Sequence, residues 1–257
     1  MPLLFYFKTM KIHSSVFRGY EHKHFCQDAL AMRETEHFLF AAIFDGCSGG
    51  KDSHFAANLF AKIFNDCLSY PLMFNAAEKT PKDNAQTLVY MIGRKIIEVK
   101  NLLHLDTAEL LSTMVLCVVN KDTKECCICA FGDGYFSVNG TGTTIQNTKF
   151  TDESMPDYIA YNLMAFTDIY KFTKWFSENS ICHEFSNAFD ITISSDGINT
   201  FTNYKDTTEI VDPIHYLVQD EALMNTLNMF ERKLNLLYTK KYMVHKDDLS
   251  IVRIKFD

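Results

Sequence analysis

The sequence predicts an α+β fold in which two packed β-sheets carry helices on their outer sides. Three observations lead there. Strand-like runs follow one another in groups, interrupted by a pair of helical stretches early in the chain and a single one late. The run Leu39-Phe40-Ala41-Ala42-Ile43-Phe44 is wholly apolar and ends abruptly on Asp45, as expected of a short strand buried on both faces. The third is the size of the core on offer: 257 residues, 47% hydrophobic, with 22 Phe and 12 Tyr. With no internal repeat and no linker composition, residues 1–257 read as one domain.

Taken in order, Leu3 to Val16 is strand-like, and the apolar Met1 to Tyr6 lacks the basic leader of a targeting segment and reads as strand. Gly19 to Gln27 is polar and His-rich, hence a loop, leading into Asp28-Ala29-Leu30-Ala31-Met32. A turn at Glu34 to His37 precedes the run that ends on Asp45. After the turn Gly46-Cys47-Ser48-Gly49-Gly50, Phe55, Leu59, Phe60 and Ile63 fall at helical spacing. Asp52 and Ser53 are candidate caps, and Tyr70-Pro71 stops the helix after Leu68. Thr80-Pro81 opens a second helix through Leu103, with Pro81 where its missing donor does no harm.

Leu110 to Val119 and Glu125 to Phe131 are strands joined by a turn at Asn120 to Lys124. Tyr135 to Val138 is a third, followed by the hairpin signal Asn139-Gly140. From Gln146 to Glu184 the pattern weakens, and a flap or short irregular elements are expected across 146–184. Phe185 to Ser195 returns to strand with a turn at Asn187-Ala188. Glu221 to Leu237 predicts an amphipathic helix with Leu223, Leu227, Phe230, Leu234 and Leu237 on one stripe, and Leu249 to Ile254 is the last strand.

Charge removes several classes of partner. With 25 Lys plus Arg against 32 Asp plus Glu the net is −7, and no basic tract exists to follow nucleic-acid phosphates. No apolar run approaches the ~18 residues of a membrane span. The eight cysteines are scattered in apolar runs, which suits free buried thiols in a reducing cytoplasm. Cys126-Cys127-x-Cys129 has no second paired cluster, so no zinc site is expected.

The chemistry lies in the strand ends. Besides Asp45-Gly46, the runs Ile128 to Phe131 and Ile191 to Ser195 reach Gly132-Asp133-Gly134 and Asp196-Gly197, while Asp247-Asp248 precedes Leu249. One Asp-Gly alone is a common hairpin turn. Four acidic strand ends gathered together need cations or solvent.

The order Gln27-Asp28-Ala29, Phe44-Asp45-Gly46, Ser112-Thr113, Gly132-Asp133, Ser195-Asp196-Gly197 and Lys246-Asp247-Asp248-Leu249-Ser250-Ile251 resembles the metal-dependent protein phosphatases of the 2C type. The Gly-Cys-Ser-Gly-Gly turn brings it closer to their bacterial branch. The resemblance runs from Ser14 to Ile254. It implies a four-layer αββα sandwich, two mainly antiparallel sheets flanked by helices, with metals at one edge. It further implies two Mg²⁺ or Mn²⁺ ions, bridged by Asp45 and ligated by the Gly46 carbonyl, Asp196 and Asp247. Asp28 would act through water, and Asp133 would hold a third, looser ion. All-oxygen donors suit these hard cations. The implied reaction is attack of a metal-activated water on phosphoserine or phosphothreonine of a phosphorylated protein, with a cognate Ser/Thr kinase as a further partner.

Three departures stand out. Cys47 follows the first Asp-Gly where a proton-donating His is frequent, which leaves His54, His22 and His24 as candidate acids. A thiol beside a carboxylate is held protonated, so Cys47 is not expected to be a nucleophile. Lys23 stands where a phosphate-gripping Arg is usual and supplies charge without bidentate bonds. Gln27 replaces a common Glu. The residues also leave open a catalytically silent phosphatase-fold module that binds phosphorylated partners or regulates a kinase, and a small-molecule phosphatase.

Overall fold

Seven of the eight residues of β3 (Phe38–Asp45) are buried, because both of its faces are covered. The computed structural model describes residues 10–70, 73–74, 76–146, 148–149, 152–165, 169–178, 182–205 and 212–257. In it β3 belongs to a five-stranded antiparallel sheet in the order β10 (Cys182–Phe185), β5 (Cys126–Phe131), β4 (Met114–Asn120), β3, β2 (Asp28–Glu34). Alternation splits its side chains between two cores. Phe38, Phe40, Ala42 and Phe44 pack with α1 (Ser53–Cys67) and α2 (Pro81–Leu103). Leu39, Ala41 and Ile43 meet a second sheet ordered β1 (Met10–Phe17), β14 (Leu249–Phe256), β11 (Asp190–Ser194), β6 (Asp133–Val138), β7 (Thr141–Gln146). The outer face of that sheet, through Tyr135, Leu249 and Ile251, buries Leu217 of α5 (Pro213–Val218) and Phe230 and Leu237 of α6 (Met229–Lys241). The architecture is the αββα sandwich.

Local chemistry fixes the helix ends. Thr80 Oγ1 accepts from the Asp83 N–H and the Asp83 carboxylate accepts from the Thr80 N–H, a capping box with Pro81 in the first turn. Asp52 stands at the N-cap of α1 without a side-chain cap bond. Asn139 (φ 52°) and Gly140 (φ 83°) make the left-handed pair that closes the β6–β7 hairpin.

Of the strand expected over Leu3 to Val16, the described part is β1, and residues 1–9, with Met1–Tyr6 among them, fall outside the described residues. Several other expectations need correction. Leu110 is not strand: Thr107–Leu110 is a 3-10 turn with its own capping box, Asp106 with Glu109, and β4 starts at Met114. The helix expected from Glu221 begins at Met229 and runs on to Lys241. The residues before it turn instead: the carbonyls of Glu221 and Leu223 accept from the Met224 and Thr226 N–H groups at i+3, and Met224 O lies 3.0 Å from His13 Nε2. Leu227 is fully exposed, and Leu223 reaches the core of Phe230 and Leu237 from a φ of 67° rather than from a helix.

Nor is the 146–184 region simply a flap. Its helices α3 (Ile159–Ala165) and α4 (Ile169–Glu178) bury Leu163, Phe172 and Phe176 in the same core as α1 and α2. Gly93 in α2 makes room: a Cβ there would meet Leu163 Cδ2 at 2.9 Å. Finally, two cysteines are not free. Cys129 and Cys182 face each other directly across β5 and β10 and are bridged, while Cys26, Cys47, Cys67, Cys117, Cys126 and Cys127 remain thiols.

Candidate metal centre

The centre is built where strands of both sheets run out at one edge. β3 stops at Asp45 because Gly46 is pressed against the start of α1: a Cβ on Gly46 would lie 1.9 Å from the Ser53 carbonyl oxygen. The turn is pinned by Gly46 N–H to Gln27 O and Cys47 N–H to Leu111 O, each 3.1 Å. Thr113 holds Asp45 from the side, its N–H donating to Asp45 O at 2.8 Å.

Across the β2–β3 ladder, Asp28 is the register partner of Asp45. Two like charges directly opposed on a sheet are unfavourable unless something offsets them. Asp133 opens β6 between Gly132 (φ 80°) and Gly134 (φ 151°), conformations that glycine adopts without cost. Asp196 begins the 3-10 turn Asp196–Asn199 after β11, and Asp247 stands just ahead of β14. Gly197 lets these two segments meet, since a Cβ there would lie 1.9 Å from Asp248 O.

Asp45, Asp133, Asp196 and Asp247 line one cavity of about 120 Å³, together with Gly46, Cys47, Ser48, Thr113, Pro156 and Tyr158. Asp28 is buried and outside this lining; its Oδ2 accepts from Ser195 Oγ at 2.7 Å. Asp28 Oδ1 and Asp196 Oδ1 are buried with no hydrogen-bond partner. Without a cation the cluster resists ionisation. Burial, and then the Asp28 and Asp196 carboxylates, push Asp45 well above the ordinary carboxylate range. Burial pushes Asp28 up to about 7, and burial with Asp196 pushes Asp133 up to about 6. Asp196 is raised by burial and by Asp247. Orphaned buried oxygens and an all-oxygen donor set fit a hard divalent cation.

The remaining candidates are placed differently. His54 lies outside the cavity lining: its Nδ1 is 3.5 Å from Asp52 Oδ1 and its ring stacks on Phe25 at 4.6 Å. Lys23 is exposed on the 19–27 loop, also outside the lining. The Gln27 amide oxygen accepts from Ser48 Oγ at 3.0 Å, which ties the glycine turn to the loop. His22 faces the Asp247-Asp248 pair, with Nδ1 2.7 Å from Asp248 Oδ2.

Asp248 has a role the sequence reading did not assign. Almost wholly buried, it accepts from Gly19 N–H at 2.6 Å and from Gln27 N–H and lies 2.7 Å from His22 Nδ1, fastening the 19–27 loop beside Asp247. The acidic doublet before a strand was the available signal. Tyr158, reaching the cavity from the start of α3, had no signal at all.

The sequence profile of the protein phosphatase 2C family matches residues 18–230. The chain belongs to that family. Among solved structures it is similar to an S. agalactiae serine/threonine phosphatase, at 14% identity and a TM-score of 0.60 over 97% of this chain and 100% of the other. It is also similar to RsbX in complex with magnesium, at 13% identity and a TM-score of 0.56, covering 96% of each chain. A third likeness is to the catalytic domain of the serine/threonine protein phosphatase PstP with two manganese ions, at 13% identity and a TM-score of 0.53 over 96% and 98%. Among curated protein sequences none matches.

Proposed function

We propose that the chain is a Mg²⁺- or Mn²⁺-dependent phosphatase of the bacterial type that hydrolyses phosphoserine and phosphothreonine in proteins. The observation that carries this reading is the convergence of Asp28, Asp45, Asp133, Asp196 and Asp247 on one strand edge, with two buried carboxylate oxygens left unpartnered. Asp45, the Gly46 carbonyl, Asp196 and Asp247 would hold two cations, and Asp133 a third, looser one. Bound there, such cations neutralise phosphoryl oxygens and acidify a water for in-line attack. Asp28, oriented by Ser195, keeps Oδ1 ready to accept a proton. Pro156 and Tyr158 wall the cavity and narrow its access to water. Asp248 keeps the 19–27 loop in register beside Asp247.

The magnesium in RsbX and the manganese in PstP support the choice of cation, and the named activity of the S. agalactiae relative supports the substrate class. A phosphorylated protein and its cognate Ser/Thr kinase are the partners this reading assigns, in the cytoplasm. No helix among the described residues is long and apolar enough to cross a membrane. The test is phosphate release from an aryl phosphate and from phosphoserine and phosphothreonine peptides, with and without Mn²⁺. Turnover that appears with Mn²⁺ or Mg²⁺ and vanishes on chelation is expected. Turnover that survives exhaustive chelation overturns the metal assignment, and Mn²⁺ binding with no turnover of any phosphoester favours the silent binding module.

A further inference from the structure

A second constellation of metal-ligating side chains lies away from the acidic edge, on the helix-facing side of the first sheet. Cys127 and Cys129 are two apart on β5 and so share a face. Across the ladder, Cys129 is paired with Cys182 and Cys127 with Glu184, which puts three sulfurs and a carboxylate-bearing residue on four adjacent positions of one face. The three sulfurs all lie within 4.8 Å of one another, and Cys127 Sγ is 3.7 Å from Cys129 Sγ. Two thiolates on a tetrahedral zinc, each at ~2.3 Å, are about 3.8 Å apart. Cys127 and the bridged Cys129 are therefore already spaced as a metal's ligand edge. A cavity of about 310 Å³, lined by Pro81, Lys82, Cys127, Glu184 and Phe185 among others, reaches the Cys127 and Glu184 end of this group.

We propose that Cys127, Cys129 and Cys182, once the Cys129–Cys182 bridge is reduced, form a site for a thiophilic divalent cation of the Zn²⁺ class, with Glu184 as the fourth donor. Reduction takes two electrons and two protons from a thiol reductant, which leaves as its own disulfide. Each of the three thiols then gives a proton to solvent as its sulfur binds. The bridged form retains one free thiol and is the metal-free state. Lys82, whose Nζ now lies 2.6 Å from Glu184 Oε1, stays close enough to offset part of the negative charge of three thiolates and a carboxylate. Burial pushes the Cys127 thiol up to about 12, so it is no nucleophile at neutral pH and its affinity for a cation rises with pH.

The site is distinct from the acidic centre. Along β5 from Cys127 to Phe131, where the strand reaches that edge, is roughly 14 Å. Its link to the centre is mechanical. β10 follows directly on the region that supplies Pro156 and Tyr158 to the metal cavity, so bridge or cation fastens the exit of that region to β5.

The test uses Co²⁺ on the full-length chain, reduced and freed of reductant, with the acidic centre saturated by Mg²⁺. One equivalent of Co²⁺ should produce sulfur-to-cobalt charge-transfer absorption, which Zn²⁺ then abolishes. Cys127→Ser and Cys182→Ser should each weaken binding by at least about tenfold, while Glu184→Gln keeps the absorption and binds about tenfold less tightly. No charge-transfer band in the reduced chain, an equal band in the oxidised chain, or a band unaltered by both serine substitutions overturns the proposal. Should a serine variant unfold, alkylation of the reduced wild-type chain reads the same point. Zn²⁺ should slow modification of the half-buried Cys182 at least about tenfold, and absence of protection overturns it.

Discussion

Two regions of the sandwich gather metal-ligating side chains by different means. At the acidic edge, carboxylates come from β2, β3, β6, the turn after β11 and the turn before β14, each the terminal residue of its own apolar run or close to it. On β5 and β10 the sulfurs sit mid-strand, brought together only by pairing register. The first arrangement faces a cavity and offers hard oxygens; the second lies under a helical layer and offers soft sulfur. Convergence of strand ends makes an open site suited to exchange with substrate. Cross-strand pairing makes a site that holds two strands together.

Separating the two is the experiment with the largest expected effect. Asp45→Asn removes a charge that the proposed centre uses for both cations, and should lower Mn²⁺-dependent turnover at least a hundredfold, on the order of 3 kcal/mol. Asp196→Asn should do likewise, and the double variant should be little worse than either, since both act through one cluster. Circular dichroism should show both variants folded, because these residues stand at strand ends. Both should leave the cobalt–thiolate absorption untouched. Loss of that absorption in Asp45→Asn would merge the two sites into one and break the comparison.

The same contrast explains what could be read in advance. Asp45, Asp133, Asp196 and Asp247 were legible because an apolar run that stops on, or starts from, a carboxylate is a local pattern. The layering was legible for a similar reason: β3 is apolar at consecutive positions, and only a strand covered on both faces tolerates that. Pairing register is not local. Nothing in Cys127-x-Cys129 announces that Cys182, a separation of 53 residues, arrives opposite Cys129. Asp248 was half legible, as an acidic doublet whose loop-fastening bonds come from Gly19 and Gln27 far away in the chain. The helix expected from Glu221 failed because Leu223 turns to φ 67° and buried His13, far away in the chain, meets the Met224 carbonyl, a tertiary contact invisible to periodicity.

A smaller effect sharpens the electrostatic half of the comparison. Asp28 is pushed up to about 7 and Asp133 to about 6 from an ordinary 3.8, so the folded metal-free chain binds these protons more tightly than the unfolded chain. Their contribution to stability is fully present below about pH 4 and is lost as pH rises through about 7. The metal-free chain should therefore melt at progressively lower temperature across that window, relative to Asp28→Asn, which removes the Asp28 titration. Saturating Mn²⁺ should cancel the difference by favouring the ionised forms. A wild-type profile parallel to that of Asp28→Asn would mean that the acidic edge carries no such penalty.

The smallest expected effect is at Cys47, the cysteine that belongs to the oxygen site rather than the sulfur site. It lines the acidic cavity beside Asp45 and Tyr158, yet it has no second sulfur to pair with among the described residues lining that cavity. Its neighbours are carboxylates and a phenol that burial and Cys47 itself keep protonated. A nucleophilic cysteine needs the opposite surroundings. Cys47→Ser preserves size and hydrogen-bonding capacity, so kcat/KM should stay within about threefold of wild type, under ~0.7 kcal/mol of transition-state stabilisation. His54→Ala, a ring stacked on Phe25 outside the cavity, should be equally mild. Near-complete loss in Cys47→Ser, with phosphocysteine trapped on the wild-type chain, would turn the oxygen site into a thiol-dependent one and remove the division between the two regions.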